Sequence, residues 1–184
     1  MSGALWLDPC AGYLLVTAYA VFFGWAAYLK GSNIRAFSAV LGHYHLLPKV
    51  LTPTAAFLVL LCEATIAVLL LIPPTRALAA IMGAGLCLLY SLAIGINLKR
   101  KRRDLDCGCL GPSKRRPISG WMLWRNLALA ATLLIICLPW SPRALDGIDM
   151  LTIAAGAMGL ALLYATVDSL MAIILRAQPV RATP

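Results

Sequence analysis

ALAAIMGAGLCLLYSLAIGINL, residues 77–98, is an apolar run that contains no charged side chain. A helix rises about 1.5 Å per residue, so this run is long enough to cross the roughly 30 Å hydrocarbon core of a bilayer. Similar runs lie at about 10–29, 53–72, 119–138 and 150–175. We therefore predict an all-α membrane protein. It is an antiparallel transmembrane helix bundle of about five spans, a four-helix core plus one, in a single domain over residues 1–184.

The composition also indicates a membrane protein. The chain is 61% hydrophobic and 12% charged, whereas soluble domains are nearer half apolar and a quarter charged. Its formal net charge of +9 does not predict nucleic-acid binding, because the basic residues cluster beside apolar runs, as they do in cytoplasmic loops. Residues 1–10 lack Lys and Arg, which predicts an uncleaved first span rather than a signal peptide.

The basic residues predict the orientation of the bundle in the membrane. Five spans place two of them, Arg76 and Arg143, on one side and thirteen on the other. The thirteen are Lys30, Arg35, Lys49, Lys99, Arg100, Lys101, Arg102, Arg103, Lys114, Arg115, Arg116, Arg176 and Arg181. By the positive-inside rule, the N-terminus faces the periplasm, and the C-terminus and the loop 99–118 face the cytoplasm. In the connector 30–49 we predict a short amphipathic helix that lies on the membrane.

The loop 99–118 contains two thiols, Cys107 and Cys109, separated by one glycine and flanked on both sides by basic residues. Nearby cations lower the pKa of a thiol and so favour the reactive thiolate. A disulfide across one intervening residue closes a small, strained ring that is easily reduced. The pattern therefore favours thiol–disulfide exchange as the chemistry of this pair.

Two other interpretations of the thiol pair stay open. The thiols can be incidental, or they can form half of a metal site. His43 and His45 are predicted on the same side of the membrane and would complete a Cys2His2 set. Because the spacing is not a familiar zinc pattern, we predict no resident metal.

Three ionisable side chains, Glu63, Arg125 and Asp168, lie inside predicted spans, where charges are costly and are usually paired or functional. Counted from the basic side, Arg125 and Asp168 lie at the same depth to within a turn, and Glu63 is within reach of an arginine side chain. We predict that Arg125 pairs with Asp168, Glu63 or both, and that Asn126 can join this network. The network is either structural or a proton relay or ligand site.

The other four cysteines fall into layers across the predicted bundle. Cys10 and Cys137 lie near the outer face, and Cys62 and Cys87 lie near the middle, on neighbouring antiparallel helices. One hypothesis is a thiol relay across the membrane to the inner pair. The other is chance, because buried cysteines are usually inert.

Several of these residues together resemble the MauE family of methylamine utilization proteins. The resemblance rests on Asn97-Leu98-Lys99-Arg100, on the block from Asp104 to Gly111 with its Asp-Cys-Gly-Cys-Leu-Gly, and on Trp124-Arg125-Asn126-Leu127. The connector and Glu63 also fit, and the match covers roughly residues 10–138. The family usually has a phenylalanine where this chain has Leu110.

The resemblance implies a multi-pass protein of the bacterial inner membrane, related to DoxX-like four-helix bundles. It implies a role in maturation of the methylamine dehydrogenase beta subunit, a disulfide-rich periplasmic protein, alongside a thioredoxin-like partner, MauD. Cys107 and Cys109 then become the candidate redox pair, and Glu63, Arg125 and Asn126 become family-pattern residues. No cofactor is evident, although a bound quinone would make the protein a quinone-coupled oxidase.

The implied periplasmic client and the predicted cytoplasmic thiol pair lie on opposite sides of the membrane. Electrons can cross the bundle, the loop can be reached from outside, or the orientation can be inverted; the charge bias favours the first two. Two other functions stay open. One is a chaperone or transport factor for the same subunit without redox chemistry, and the other is a small metal-handling membrane protein.

Overall fold

The computed structural model describes residues 6–102 and 118–177, apart from the side chains of 172 and 175–177. Within these ranges the chain is almost entirely helical, without a β-strand. The helices are α1 (Pro9–Ser32), α2 (Ile34–His43), α3 (Thr52–Leu71), α4 (Arg76–Lys99), α5 (Gly120–Ile135) and α6 (Gly147–Ala177). Two short 3₁₀ turns, Lys49–Leu51 and Pro73–Thr75, precede α3 and α4.

Four of these helices, α1, α3, α4 and α6, are long and apolar enough to cross a bilayer, and α5 is an apolar helix of 16 residues. The prediction of an all-α, multi-pass membrane protein is therefore confirmed. The boundaries differ most from the apolar runs in three places, by three residues each. Helix α1 continues through Lys30 to Ser32, α5 ends at Ile135 instead of 138, and α6 begins at Gly147 instead of 150.

Local sequence explains where the helices begin and end. Asp8 caps α1, since its carboxylate accepts a hydrogen bond from the backbone N–H of Cys10 at 2.8 Å, and Pro9 occupies the first turn, where no N–H is needed. Asn33 caps α2 in the same way. Pro73 and Pro74 end α3, and the short turn makes α3 and α4 antiparallel neighbours.

The core lies where α1, α3, α4 and α5 meet, with α6 packed on the outside of α1. Small residues on α4 allow close helix approach, as in other membrane bundles. At Gly83 a Cβ would lie 3.1 Å from the Phe23 ring. Most of α6 remains exposed to the surroundings of the bundle. The architecture is thus the predicted four-helix core plus one.

The connector between α1 and α3 contains the predicted short helix, α2. Its Phe37 is buried, at 2% exposure, and the helix packs against α3 rather than standing free of the bundle. This packing places the Phe37 ring beside the Lys30 ammonium of α1, as described below. That α2 also touches the membrane surface stays a prediction.

We call the end of the bundle with Lys49 and Lys99 the basic end, and the end with Arg76 and Arg143 the opposite end. At the opposite end Arg143 donates hydrogen bonds to Asp149 at 2.8 and 3.0 Å and to Asp8 at 3.2 Å. The guanidinium thereby ties the start of α6 to the start of α1. Hydrogen bonds from Arg143 and from the Cys10 N–H lower the pKa of Asp8. The two carboxylates in turn raise the pKa of Arg143.

Candidate functional site

A buried cation lies inside the bundle, where α1, α2, α3 and α4 meet. The Lys30 ammonium is 0% exposed and forms an ion pair with Glu63, itself 1% exposed. Tyr90 donates a hydrogen bond from its hydroxyl to the same Glu63 oxygen at 2.7 Å. The rings of Phe37 and Tyr90 both lie with their centroids 5.4 Å from the Lys30 Nζ. We call these four residues the Lys30 cluster.

The sequence of α1 explains why a lysine points inward. Tyr19, Phe23, Ala26 and Lys30 are spaced four, three and four residues apart, and all are buried. This spacing puts them on one face of a helix. Lys30 therefore continues the buried stripe of α1, and its ammonium must find a partner because an unpaired charge in a membrane interior is costly. Glu63 and the two aromatic faces supply that partner.

The Lys30 cluster corrects two predictions. Lys30 was counted among the loop charges, but it lies within α1 and is paired, so twelve basic residues remain on that side against two. Glu63 was assigned to Arg125 as an alternative partner, but its ion pair is with Lys30. Sequence reasoning missed the pairing because Lys30 directly follows the uncharged run and was taken as its end.

The second buried pair joins α5 to α6. Arg125 Nη1 donates to Asp168 Oδ1 at 2.6 Å, and both side chains are less than a tenth exposed. The guanidinium also lies 5.7 Å from the centroid of the Tyr164 ring. The predicted pairing of Arg125 with Asp168 is therefore confirmed. Asn126 is buried beside it at 3% exposure, and its Nδ2 has no hydrogen-bond partner within the described ranges.

Four cysteines lie in the described ranges, and all four are free thiols: Cys10, Cys62, Cys87 and Cys137. Cys87 is buried near Lys30, Glu63 and Arg125. Cys62 packs against the same core, and Cys137 is exposed toward the opposite end. The thiol relay stays a hypothesis. Cys107 and Cys109 lie outside the described residues.

The metal interpretation also stays open, because Cys107 and Cys109 lie outside the described residues. His43 and His45 are both exposed near the end of α2. Among the residues that the structure describes, no three His, Cys, Asp or Glu side chains come together as metal ligands. Two members of the proposed Cys2His2 set lie outside those residues.

The buried polar groups of the described residues link helices to one another. Each buried ion pair cross-links helices that come from different parts of the chain, and the Lys30 cluster joins four of them. The Lys30 cluster also holds exchangeable protons on an ammonium and a phenol around the Glu63 carboxylate. Among the residues that the structure describes, the Oε2 of this carboxylate is buried and has no hydrogen-bond partner. Phe37 was noted only as part of the connector that carries the family resemblance. Tyr90 and Tyr164 were not singled out, because aromatic residues in apolar runs carry no signal that separates a cation-binding ring from a lipid-facing one.

A double-mutant cycle tests whether the Lys30–Glu63 pair holds the bundle together. We expect Lys30→Met and Glu63→Gln each to lower the free energy of unfolding by roughly 3 kcal/mol, since each leaves one buried group without its partner. The double variant should cost clearly less than the sum of the two. Denaturant unfolding of the detergent-purified protein measures all three values. Lys49→Met, an exposed lysine at the same end, should have little effect, and strictly additive losses would contradict the pairing.

The sequence was also compared with known proteins. Residues 9–139 match the family described as methylamine utilisation protein MauE. This range covers α1 to α5, including Lys30, Glu63 and Arg125, but not α6 with Asp168. No solved structure matches the chain significantly.

Three curated relatives are all named methylamine utilization protein MauE. The one from Methylophilus methylotrophus is 34% identical over 88% of this chain and 86% of its own length. The one from Methylorubrum extorquens is 33% identical over 87% and 86%, and the one from Paracoccus denitrificans is 32% identical over 71% and 70%. The helical bundle, the family match and these relatives agree, and the chain therefore belongs to the MauE family of methylamine utilisation proteins.

Proposed function

We propose that this protein is a membrane maturation factor for the methylamine dehydrogenase beta subunit and acts by thiol–disulfide exchange at Cys107 and Cys109. The family gives it a role in methylamine utilisation. The finer assignment rests on one observation, the Cys-Gly-Cys sequence between basic residues in a chain of this family. A thioredoxin-like protein of the MauD type serves as its redox partner in this proposal.

The proposed reaction is an exchange of two electrons. Two client thiols reduce the Cys107–Cys109 disulfide through a mixed disulfide, so that one S–S bond forms in the client while one breaks in this protein. The thioredoxin-like partner, in its disulfide form, then takes two electrons from the Cys107 and Cys109 dithiol. Each released thiolate takes up the proton that an attacking thiol gives up, so the exchange needs no other reactant.

The described ends of the loop support this chemistry. Helix α4 ends at Lys99, which begins a run of five consecutive cations from Lys99 to Arg103. The backbone N–H of Arg102 donates to the Asn97 carbonyl at 3.0 Å, and Lys101 adopts a left-handed conformation with φ of 59°. The chain thus leaves α4 through a tight, hydrogen-bonded turn. A positive potential at this end favours thiolates in the segment that follows.

The rigid bundle supplies the anchor for that segment. On the other side of the loop, Ile118 and Met122 are buried with Ile94 of α4 and Tyr44. Both ends of the loop are therefore attached to one packed layer at the basic end. This packing fixes the positions of Arg102 and Ile118, the described residues on either side of the segment that contains the thiol pair.

We further propose that the protein lies in the bacterial inner membrane with its N-terminus in the periplasm and its C-terminus in the cytoplasm. The support is the distribution of Lys and Arg, which remains twelve against two after Lys30 is removed from the count. The two electrons given up by the periplasmic client then either cross the bundle to reach the Cys107–Cys109 pair, or the client reaches the loop from outside and forms the mixed disulfide directly.

Replacing both thiols tests the exchange mechanism. We expect Cys107→Ser combined with Cys109→Ser to abolish maturation of the beta subunit and growth on methylamine, because no mixed disulfide can form. Non-reducing electrophoresis of the subunit measures its disulfides. Cys137→Ser, which removes an exposed thiol at the opposite end, distinguishes the two routes. It should grow normally if the client reaches the loop directly, and poorly if a thiol relay carries the electrons across the bundle.

A normal yield of correctly oxidised subunit in the double serine variant would overturn the exchange mechanism. It would favour a chaperone or transport factor without redox chemistry. In that case Arg125→Gln and Glu63→Gln should still impair maturation, because they disturb the bundle and not the thiols.

Thiol labelling tests the orientation. A membrane-impermeant maleimide added to intact spheroplasts should label Cys137, which is exposed at the opposite end, and should leave Cys107 and Cys109 unlabelled until the cells are opened. Single-cysteine variants and mass measurement separate the sites. Labelling of the pair together with Cys137 in intact spheroplasts would mean that the loop is reached from outside and would overturn its cytoplasmic placement. Labelling of the pair with Cys137 protected would mean an inverted orientation.

A further inference from the structure

An apolar groove runs along the outside of the bundle between α4 and α5. Its volume is about 390 Å³. Leu88, Leu92 and Ile96 line it from α4, and Leu123 and Leu127 line it from α5. Ser91 also lines it, but its hydroxyl is directed at the Leu123 carbonyl at 3.4 Å, so the groove offers hydrocarbon along most of its length. None of its residues takes part in the Lys30 cluster or in the Arg125–Asp168 pair.

The length of the groove fits one leaflet of a bilayer. It extends along α4 from Leu88 to Lys99, which at about 1.5 Å per residue is roughly 16 Å. The hydrocarbon core of a bilayer is about 30 Å thick, so one leaflet contributes about 15 Å. A transmembrane helix of a partner protein would need about twice that length. The groove therefore matches a single acyl chain rather than a second membrane span.

The charge of the groove is confined to its basic end. Lys99 is its last lining residue and is exposed, and Arg100 and Lys101 follow it, also exposed. Within residues 6–102 and 118–177, no carboxylate pairs with any of these three cations. A hydrophobic trough that ends in exposed cations is complementary to a lipid with a negatively charged headgroup.

We propose that the α4–α5 groove is a binding site for one anionic phospholipid. An acyl chain lies along Leu88, Leu92 and Ile96, and the phosphate of the headgroup is bound by Lys99 with the cations that follow it. The lipid comes from the leaflet at the basic end. It covers the α4–α5 seam directly beside the point where the loop 103–117 leaves the bundle. This proposal does not depend on the thiol chemistry.

Native mass spectrometry of the full-length protein in detergent tests the site. The protein is titrated with phosphatidylglycerol and, separately, with phosphatidylcholine of the same acyl chains. We expect a first phosphatidylglycerol to bind several-fold more tightly than phosphatidylcholine. Lys99→Gln should weaken phosphatidylglycerol binding about fivefold, the effect of one cation near a membrane surface, and leave phosphatidylcholine unchanged. Leu92→Trp should weaken both lipids, because the larger ring fills the groove.

Two matched variants serve as controls. Lys49→Gln removes an exposed cation from the same end outside the groove, and Leu89→Trp enlarges an exposed α4 residue that does not line it. Both should bind lipid like the unaltered protein. Equal affinity for the two lipids would overturn the proposal, because the headgroup charge would then not matter. An equal loss from Lys49→Gln and Lys99→Gln would also overturn it, because a cation anywhere at this end would then suffice. Unfolding curves confirm that each variant remains folded.

Discussion

The ion pair between Lys30 and Glu63 is the interaction on which the rest of the bundle depends. Both side chains are fully enclosed, and hydrocarbon offers an unpaired charge no solvent. Neither helix can therefore rotate or slide without exposing a charge. Tyr90 and Phe37 bring α4 and α2 to the same point. Apolar packing alone would allow these four hydrophobic helices many arrangements of similar free energy, and the Lys30 cluster selects one of them.

The Arg125–Asp168 pair extends this principle to the outer helix. Helix α6 is mostly exposed and packs mainly on α1, so its position is weakly fixed by apolar contacts. The pair binds it to α5 deep in the bundle, and the Arg143 contacts bind its start to α1. The two ends of the bundle therefore differ. The opposite end is rigid and poor in cations, and the loop with the thiol pair begins at the basic end.

Much of this fold could be predicted from the sequence, and the reasons for the rest are physical. Long apolar runs predict spans because hydrocarbon thickness sets their length. Counting residues from one side puts Arg125 within reach of both Asp168 and Glu63, and the structure pairs it with Asp168. The partner of Glu63 could not be found in that way, because a lysine after an apolar run looks like a loop charge. Only the three- and four-residue spacing of the buried residues from Tyr19 to Lys30 distinguishes this lysine from a loop charge. The rings of Phe37 and Tyr90 depend on how helices pack, which spacing within one helix does not reveal. The roles of the candidate residues, and above all of Cys107 and Cys109, stay predictions.

Trapping the exchange intermediate tests the proposed chemistry most directly. A variant with Cys109→Ser leaves Cys107 without the thiol that would resolve a mixed disulfide, and the converse variant leaves Cys109. Cells that make methylamine dehydrogenase are quenched in acid, alkylated and analysed by non-reducing electrophoresis and mass spectrometry. The account predicts that one of the two variants accumulates a covalent complex, sensitive to reductant, with the beta subunit or with a thioredoxin-like protein. If neither variant forms such a complex while the same procedure traps other exchange proteins in those cells, the protein does not act through its thiols.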